Sequence, residues 1–285
     1  MRQPLLRRHM YSRAYVEITN ICNKSCSFCP GHKRAPRRMT EEEFERVTDA
    51  LLGHTKYIYY HLMGEPLTHP RLADFIRIAA RKGFKSAVTT NGTLLQVLGD
   101  GLVEAGVYKV NISVHSFEGE DGEKYEEYIN GCLDFADRAS AKGVLVVLRL
   151  WNKGHDKGRN EDILAKMKKR FCDGEWHFSQ NGARIRHRLH LEYGDRFAWP
   201  DMQAEDAGES VFCYGLADHF GVLCDGTVVP CCLDNNGTLA LGNIFDEPLD
   251  TILCSQRARR IADGFKRRVA CEELCRKCGY ARRFK

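Results

Sequence analysis

The stretch AYVEITNICNKSCSFC, residues 14–29, decides how this chain is read. Its first part, AYVEIT (14–19), has the residue types of a strand. The second part places cysteines at 22, 26 and 29, with an aromatic residue, Phe28, before the last. A strand that runs directly into a thiol-rich loop outlines a ligand site at a strand end. The chain opens on MRQPLLRRHM, which is basic and lacks the apolar stretch of a secretory signal, so a cytoplasmic location and reduced thiols are expected.

The 285 residues, 43% hydrophobic, suffice for one large domain, or one domain with a small appendage. A net charge of +5 is too small to argue for nucleic acid unless it is localised. No apolar run is long enough for a membrane span. Thirteen cysteines, an odd number, argue for metal or iron–sulfur ligation over a disulfide framework. Besides the three at 22–29, seven form a C-terminal group between 213 and 278. Cys132, Cys172 and Cys254 stand apart and read as small apolar side chains.

From residue 14 the chain alternates strands and helices. Strands are predicted at 14–19, 57–63, 85–91, 109–115 and 144–150. Helices are predicted at 41–52, 70–83, 94–106, 123–142 and 160–171, the first capped by Thr40. Strands separated by helices imply a parallel sheet with right-handed crossovers. Five or six such units are too few for an eight-fold barrel. The expected fold is therefore α/β, a partial (β/α)6 TIM-like barrel over residues 1–174, with its chemistry at the C-terminal strand ends. After about residue 172 the rhythm changes. RIRHRLHLEYG (184–194) alternates like a strand, and FGVLCDGTVVPCC (220–232) reads as a hairpin across Asp225-Gly226. A small cysteine-rich domain is expected over 175–285.

A cubane cluster has four irons, so three thiolates leave one iron open to another ligand, as a catalytic zinc keeps one open position. A structural zinc site would need a fourth ligand, and His32 is the neighbour that could supply it. The C-x3-C-x2-C spacing after EITNICN, with Phe28 in place, resembles the radical S-adenosylmethionine superfamily instead. The resemblance implies a [4Fe-4S] cluster on Cys22, Cys26 and Cys29, with S-adenosylmethionine chelating the open iron. Its reductive cleavage would give a 5'-deoxyadenosyl radical that takes hydrogen from substrate. MGEP (63–66) resembles the family's Gly-Gly-Glu motif with Met63 replacing the first glycine, so Gly64, Glu65 and Pro66 are implied contacts of the methionine amino group. Thr90 and Asn91 of TTNG (89–92), and Ser113, resemble its ribose contacts. Arg149 is implied to hold the methionine carboxylate. An arginine in so apolar a strand also needs a buried partner.

CDGTVVPCC, LGNIFDEPLDTIL and CRKCG together resemble the auxiliary-cluster domains of this superfamily, the larger SPASM and the shorter twitch. The C-x17-C…C-x2-C arrangement is similar to twitch, which implies one auxiliary [4Fe-4S] cluster on Cys213, Cys231, Cys275 and Cys278. Cys232 is the alternative to Cys231, because adjacent strand residues face opposite ways. A second cluster drawing on Cys224, Cys232 and Cys271, or zinc in place of the cluster, are the other readings.

Glu17, His61 and His115 are predicted to face substrate, His115 as polarising donor or general base. The bridge HLEYGDRFAWPD (190–201) offers Glu192, Tyr193, Arg196 and Trp199 to close the barrel mouth. The function expected is hydrogen abstraction from a small polar metabolite. Its outcome would be oxidation by a dehydrogenase, or radical C–N or C–C cleavage by a lyase resembling queuine lyase in base salvage. An electron donor such as flavodoxin or ferredoxin is expected, and neither a membrane nor nucleic acid. One competing function is a SPASM maturase of peptides or proteins; the first strand near residue 14 leaves no room for the recognition domain expected of one. The other is a zinc-dependent RNA-binding module using the basic tail CRKCGYARRFK.

Overall fold

The computed structural model describes residues 10–117 and 122–284, so most of MRQPLLRRHM and the final Lys285 lie outside the described residues. The first half runs β1 (Arg13–Val16), α1 (Glu41–Leu51), β2 (Tyr57–Tyr59), α2 (Leu72–Arg81), β3 (Lys85–Thr90), α3 (Leu95–Glu104), β4 (Lys109–Ser113), α4 (Glu123–Ala141), β5 (Leu145–Lys153) and α5 (Arg159–Arg170). The second half runs β6 (His177–Ser179), β7 (Gly182–Arg186), β8 (Leu189–Asp195), β9 (His219–Val222), β10 (Thr227–Val229), β11 (Gly242–Asn243), α6 (Leu249–Leu253), α7 (Gln256–Lys266) and α8 (Glu273–Arg276).

Local chemistry starts the helices where the sequence places them. Thr40 Oγ1 accepts from Glu43 N at 3.2 Å while Glu43 Oε2 accepts from Thr40 N at 2.8 Å, a capping box that satisfies two orphan donors. The α1 stripe Phe44, Val47 and Leu51 is fully buried. The Phe44 ring stacks on Phe75 of α2 at 4.3 Å, which packs the two helices side by side on the sheet.

Strands β1 to β5 pair in parallel in chain order, and β8 continues the parallel run beside β5. These six parallel strands fit the partial barrel, but the sixth comes from beyond residue 174, where the sequence reading puts the start of the second domain. RIRHRLHLEYG is not one strand: Arg188 takes a left-handed φ of 63° and the chain folds β7 back onto β8. On the other flank β9 pairs in parallel with β1, Ala14 opposite Phe220. The described strands form one eleven-stranded sheet that no break divides. The hairpin across Asp225-Gly226 forms as predicted, closed by Leu223 N to Thr227 O at 2.8 Å.

Cys132 packs in the core as predicted, whereas Cys172 and Cys254 are exposed, a correction to their reading as packed apolar residues. Among the described residues no helix is long and apolar enough to cross a membrane.

Candidate active site

The C-terminal ends of β1, β2 and β3 are wired together by backbone. Gly64 has φ 75°, and a Cβ there would lie 2.4 Å from Thr19 O, so only glycine lets the MGEP turn close on the end of β1. Glu65 is buried, and both its oxygens accept from backbone, Oε2 from Asn91 N at 2.7 Å and Oε1 from Leu67 N at 3.1 Å. Its own N donates to Ile21 O at 2.9 Å. Burial raises its carboxyl to about 7. Glu65 thereby ties the second strand end to the third and to the start of the cysteine loop. Pro66, also buried, opens a short 3-10 turn where its missing N–H costs nothing. Thr90 Oγ1 accepts from Gly92 N at 3.0 Å. Asn91 Nδ2 donates to Asn23 Oδ1 at 2.9 Å and lies 4.0 Å from Cys22 Sγ.

Around this frame runs the cysteine loop. Cys22 and Cys29 are exposed and Cys26 is half-buried, its Sγ 3.6 Å from Ser116 O. Burial pushes the Cys22 thiol up, and the charges of Glu65 and Cys29 add to it. Asn20 anchors the return of the loop, donating from Nδ2 to Ala35 O at 2.8 Å and accepting Arg37 N on Oδ1 at 2.7 Å. His32, the neighbour available to a zinc site, has Nε2 at 2.8 Å from Asn20 O.

A cavity of about 610 Å³ opens beside the loop. Phe28, Ser113, His115 and Arg149 line it from the barrel side. The Phe28 ring lies 5.1 Å from that of His115, whose Nδ1 is 3.0 Å from Arg149 O. Arg149 finds its partner in Glu192 of β8, directly across in register, at 3.2 Å. His61 also faces the cavity. Burial, with Arg149 and Arg13 nearby, lowers its pKa to about 3, so the ring is neutral. Two residues of the bridge reach the cysteine loop: Trp199 Nε1 donates to Phe28 O at 3.0 Å and Arg196 Nη2 to Ser27 O at 3.2 Å.

Glu17 is the exception among the predicted substrate contacts. It is fully buried, pairs with Arg34 at 2.7 Å, and accepts from Met63 N at 3.0 Å and Cys224 N at 3.3 Å. It does not line the cavity. Its carboxylate oxygens are instead taken up by Arg34 and two backbone donors.

The opposite wall carries Cys213, Cys231, Cys275 and Cys278. Burial raises each thiol, and their charges couple: Cys231 feels Cys213 and Cys275, Cys275 feels Cys213 and Cys278. Cys232 also lines the cavity, but its thiol is engaged by Tyr15. Cys224 faces Arg34 Nη1 at 3.7 Å, and Cys271 lies 3.5 Å from Arg260 O. The three extra thiols are thus dispersed among other partners. Among the described residues no three His, Cys, Asp or Glu side chains converge on a single-ion site.

The sequence reading missed Arg13, Tyr15, Tyr59, Lys109 and Trp151, all of which line the cavity. The available signal was alternation: Arg13 and Tyr15 share the face of Glu17, and Lys109 the face of Asn111 and Ser113.

The family model described as the radical SAM superfamily matches residues 16–178, more than half of the chain. The chain belongs to that superfamily. More particularly, it carries a SPASM domain, the iron-sulfur cluster-binding domain, matched at residues 213–279. The first brings a [4Fe-4S] cluster and S-adenosylmethionine, and the second brings auxiliary iron–sulfur ligation. Curated relatives include the tungsten-containing aldehyde ferredoxin oxidoreductase cofactor-modifying protein of Pyrococcus furiosus, 34% identical over 35% of this chain and 30% of its own. A GTP 3',8-cyclase of Alkaliphilus oremlandii is 33% identical over 44% of this chain and 40% of its own. Another, of Aquifex aeolicus, is 37% identical over 38% and 37%. The chain spans between about three tenths and two fifths of the length of these relatives. Among solved structures, BtrN in complex with AdoMet and 2-DOIA has a TM-score of 0.58 at 17% identity, covering 95% of this chain and 94% of its own. AdoMet-bound anSMEcpe has 0.60 at 15%, covering 94% and 88%, and SuiB of Streptococcus suis has 0.59 at 12%, covering 95% and 72%. These share the fold.

Proposed function

We propose that the chain abstracts hydrogen from a small polar metabolite, and that the product is an oxidised compound or one cleaved at a C–N or C–C bond. The observation that carries this reading is one cavity lined by the barrel strand ends on one side and by four grouped cysteines on the other. Cys22, Cys26 and Cys29 would hold the radical-forming cluster, and Cys213, Cys231, Cys275 and Cys278 the auxiliary one. When bound, the first cluster with S-adenosylmethionine supplies a 5'-deoxyadenosyl radical. The chain's own residues do the rest. Asn91, Gly64 and Glu65 hold the strand ends at the loop. Trp199 and Arg196 strap the bridge to it. His61, neutral and facing the cavity, accepts or donates a hydrogen bond to substrate without adding charge. His115 contacts it beside Phe28.

Cys213, Cys231, Cys275 and Cys278 line the same cavity, and a cluster held there would supply an electron acceptor, which favours oxidation. The names of the GTP 3',8-cyclases speak of a small-molecule substrate, which agrees with this reading. The radical-forming part is taken as residues 1–174 and the auxiliary part as 175–285, with β8 lent by the second to the sheet of the first. A cytoplasmic location and a flavodoxin- or ferredoxin-type donor complete the proposal.

Anaerobic reconstitution with dithionite and a metabolite extract tests it. 5'-Deoxyadenosine should rise when the low-molecular-weight extract is added. Formation only with a peptide substrate, or none under any reductant, overturns it.

A further inference from the structure

Resting on that reading, we propose that the substrate carries an anionic group, a phosphate or a carboxylate, and that Lys109 at the inner end of the barrel lumen holds it. The cavity is lined by four cations, Arg13, Lys109, Arg149 and Arg196, and three carboxylates, Asp218, Glu192 and Asp234. Each carboxylate is already matched: Arg13 pairs with Asp218 at 2.8 Å, Arg149 with Glu192 at 3.2 Å, and Asp234 accepts from Thr238 N and Leu239 N at 2.9 and 2.7 Å. Lys109 and Arg196 have no ion-pair partner among the described residues, but Arg196 donates to Ser27 O at 3.2 Å, which leaves Lys109 as the lining cation without a matched acceptor. Burial, and then the charge of Arg149, depress its proton affinity; Glu192 acts against this and Arg13 adds to it. An ammonium half-buried in the cavity with no acceptor of its own is costly, and an anion placed there offsets that cost.

Unsatisfied polar atoms extend the same path. Asn111 Oδ1, His61 Nδ1 and Trp151 Nε1 are buried without hydrogen-bond partners among the described residues. His61 and Trp151 line the cavity. Buried polar groups are otherwise almost always paired, so such a set beside one cavity is what a bound ligand would satisfy. Lys109, Asn111 and Ser113 share one face of β4. At about 3.3 Å per residue, Lys109 and Ser113 stand roughly 13 Å apart. The ligand is therefore elongated, its acid group inside at Lys109 and its reacting carbon outside, at the strand ends beside the cysteine loop.

The test separates a metabolite extract by charge at neutral pH and offers each fraction to the reconstituted holoenzyme, with 5'-deoxyadenosine as readout. The fraction retained on an anion exchanger should be the active one. Loss of its activity after phosphatase treatment assigns a phosphate, and survival assigns a carboxylate. On that fraction K109M should lose about tenfold or more in kcat/KM, and K109R should recover most of it. Activity confined to the neutral or cationic fractions overturns the inference, as does a folded, fully iron-loaded K109M that matches wild type. If K109M does not fold, the charge of the active fraction decides alone. If no fraction is active, the functional reading itself falls, and this inference with it.

Discussion

Arg34, five residues beyond Cys29, closes a two-pronged ion pair on the buried Glu17 at 2.7 Å, and its Nε donates to Asn235 O at 2.9 Å. Glu17 in turn accepts from Met63 N of the MGEP turn and from Cys224 N of the β9–β10 hairpin. One carboxylate thus joins the first strand, the return of the cysteine loop, the MGEP turn and the C-terminal hairpin. Removing one partner of a buried pair strands the other charge, so R34M should cost about 3 kcal/mol in urea unfolding. An R34M protein as stable as wild type would show that solvent reaches Glu17.

Gly64→Ala adds a Cβ 2.4 Å from Thr19 O at a left-handed φ of 75°. The turn and the end of β1 must separate, at a cost of about 1–3 kcal/mol of strain. The expected result is a lower melting temperature together with weakened S-adenosylmethionine binding, read by equilibrium dialysis. Unchanged values for both would show that the turn tolerates the shift.

Cys231 and Cys232 separate by iron content. If one auxiliary cubane rests on Cys231, C231A should bind about four fewer irons than wild type after anaerobic reconstitution. C232A should keep its full iron complement, since that thiol is engaged by Tyr15. The reverse pattern would exchange the two assignments.

His61 ties stability to pH. Its folded pKa is about 3, below the ordinary value of 6.5. Between these the unfolded chain binds a proton that the folded chain does not, so the contribution is full above 6.5 and is lost as pH falls toward 3. The stability difference between wild type and H61Q, from urea midpoints at about pH 4.5 and about pH 7.5, should shift toward wild type at the higher value. Parallel profiles would mean that His61 is solvated.

The parts legible in the sequence were local. The C-x3-C-x2-C loop, the Thr40 cap and the Asp225-Gly226 hairpin each depend on residues close in the chain. RIRHRLHLEYG shows the limit. Its alternation announced a strand, but nothing in it said that Leu189–Asp195 would pair with β5, or that Arg188 would turn the chain between two strands. Glu17 shows the same limit for a site. Its strand position was readable, but the guanidinium paired with it was not.

By itself the sequence determined that thiols and apolar strands recur at spacings suited to a cluster-bearing partial barrel, because spacing along a strand or loop is set by bond geometry over a few residues. Only the tertiary structure decided which charges meet: Arg149 with Glu192, Arg13 with Asp218, and Lys109 with neither. Those pairings join residues up to 205 positions apart. They exist because β8 and β9 close on opposite flanks of the first five strands, and that closure is settled by sheet register and packing together.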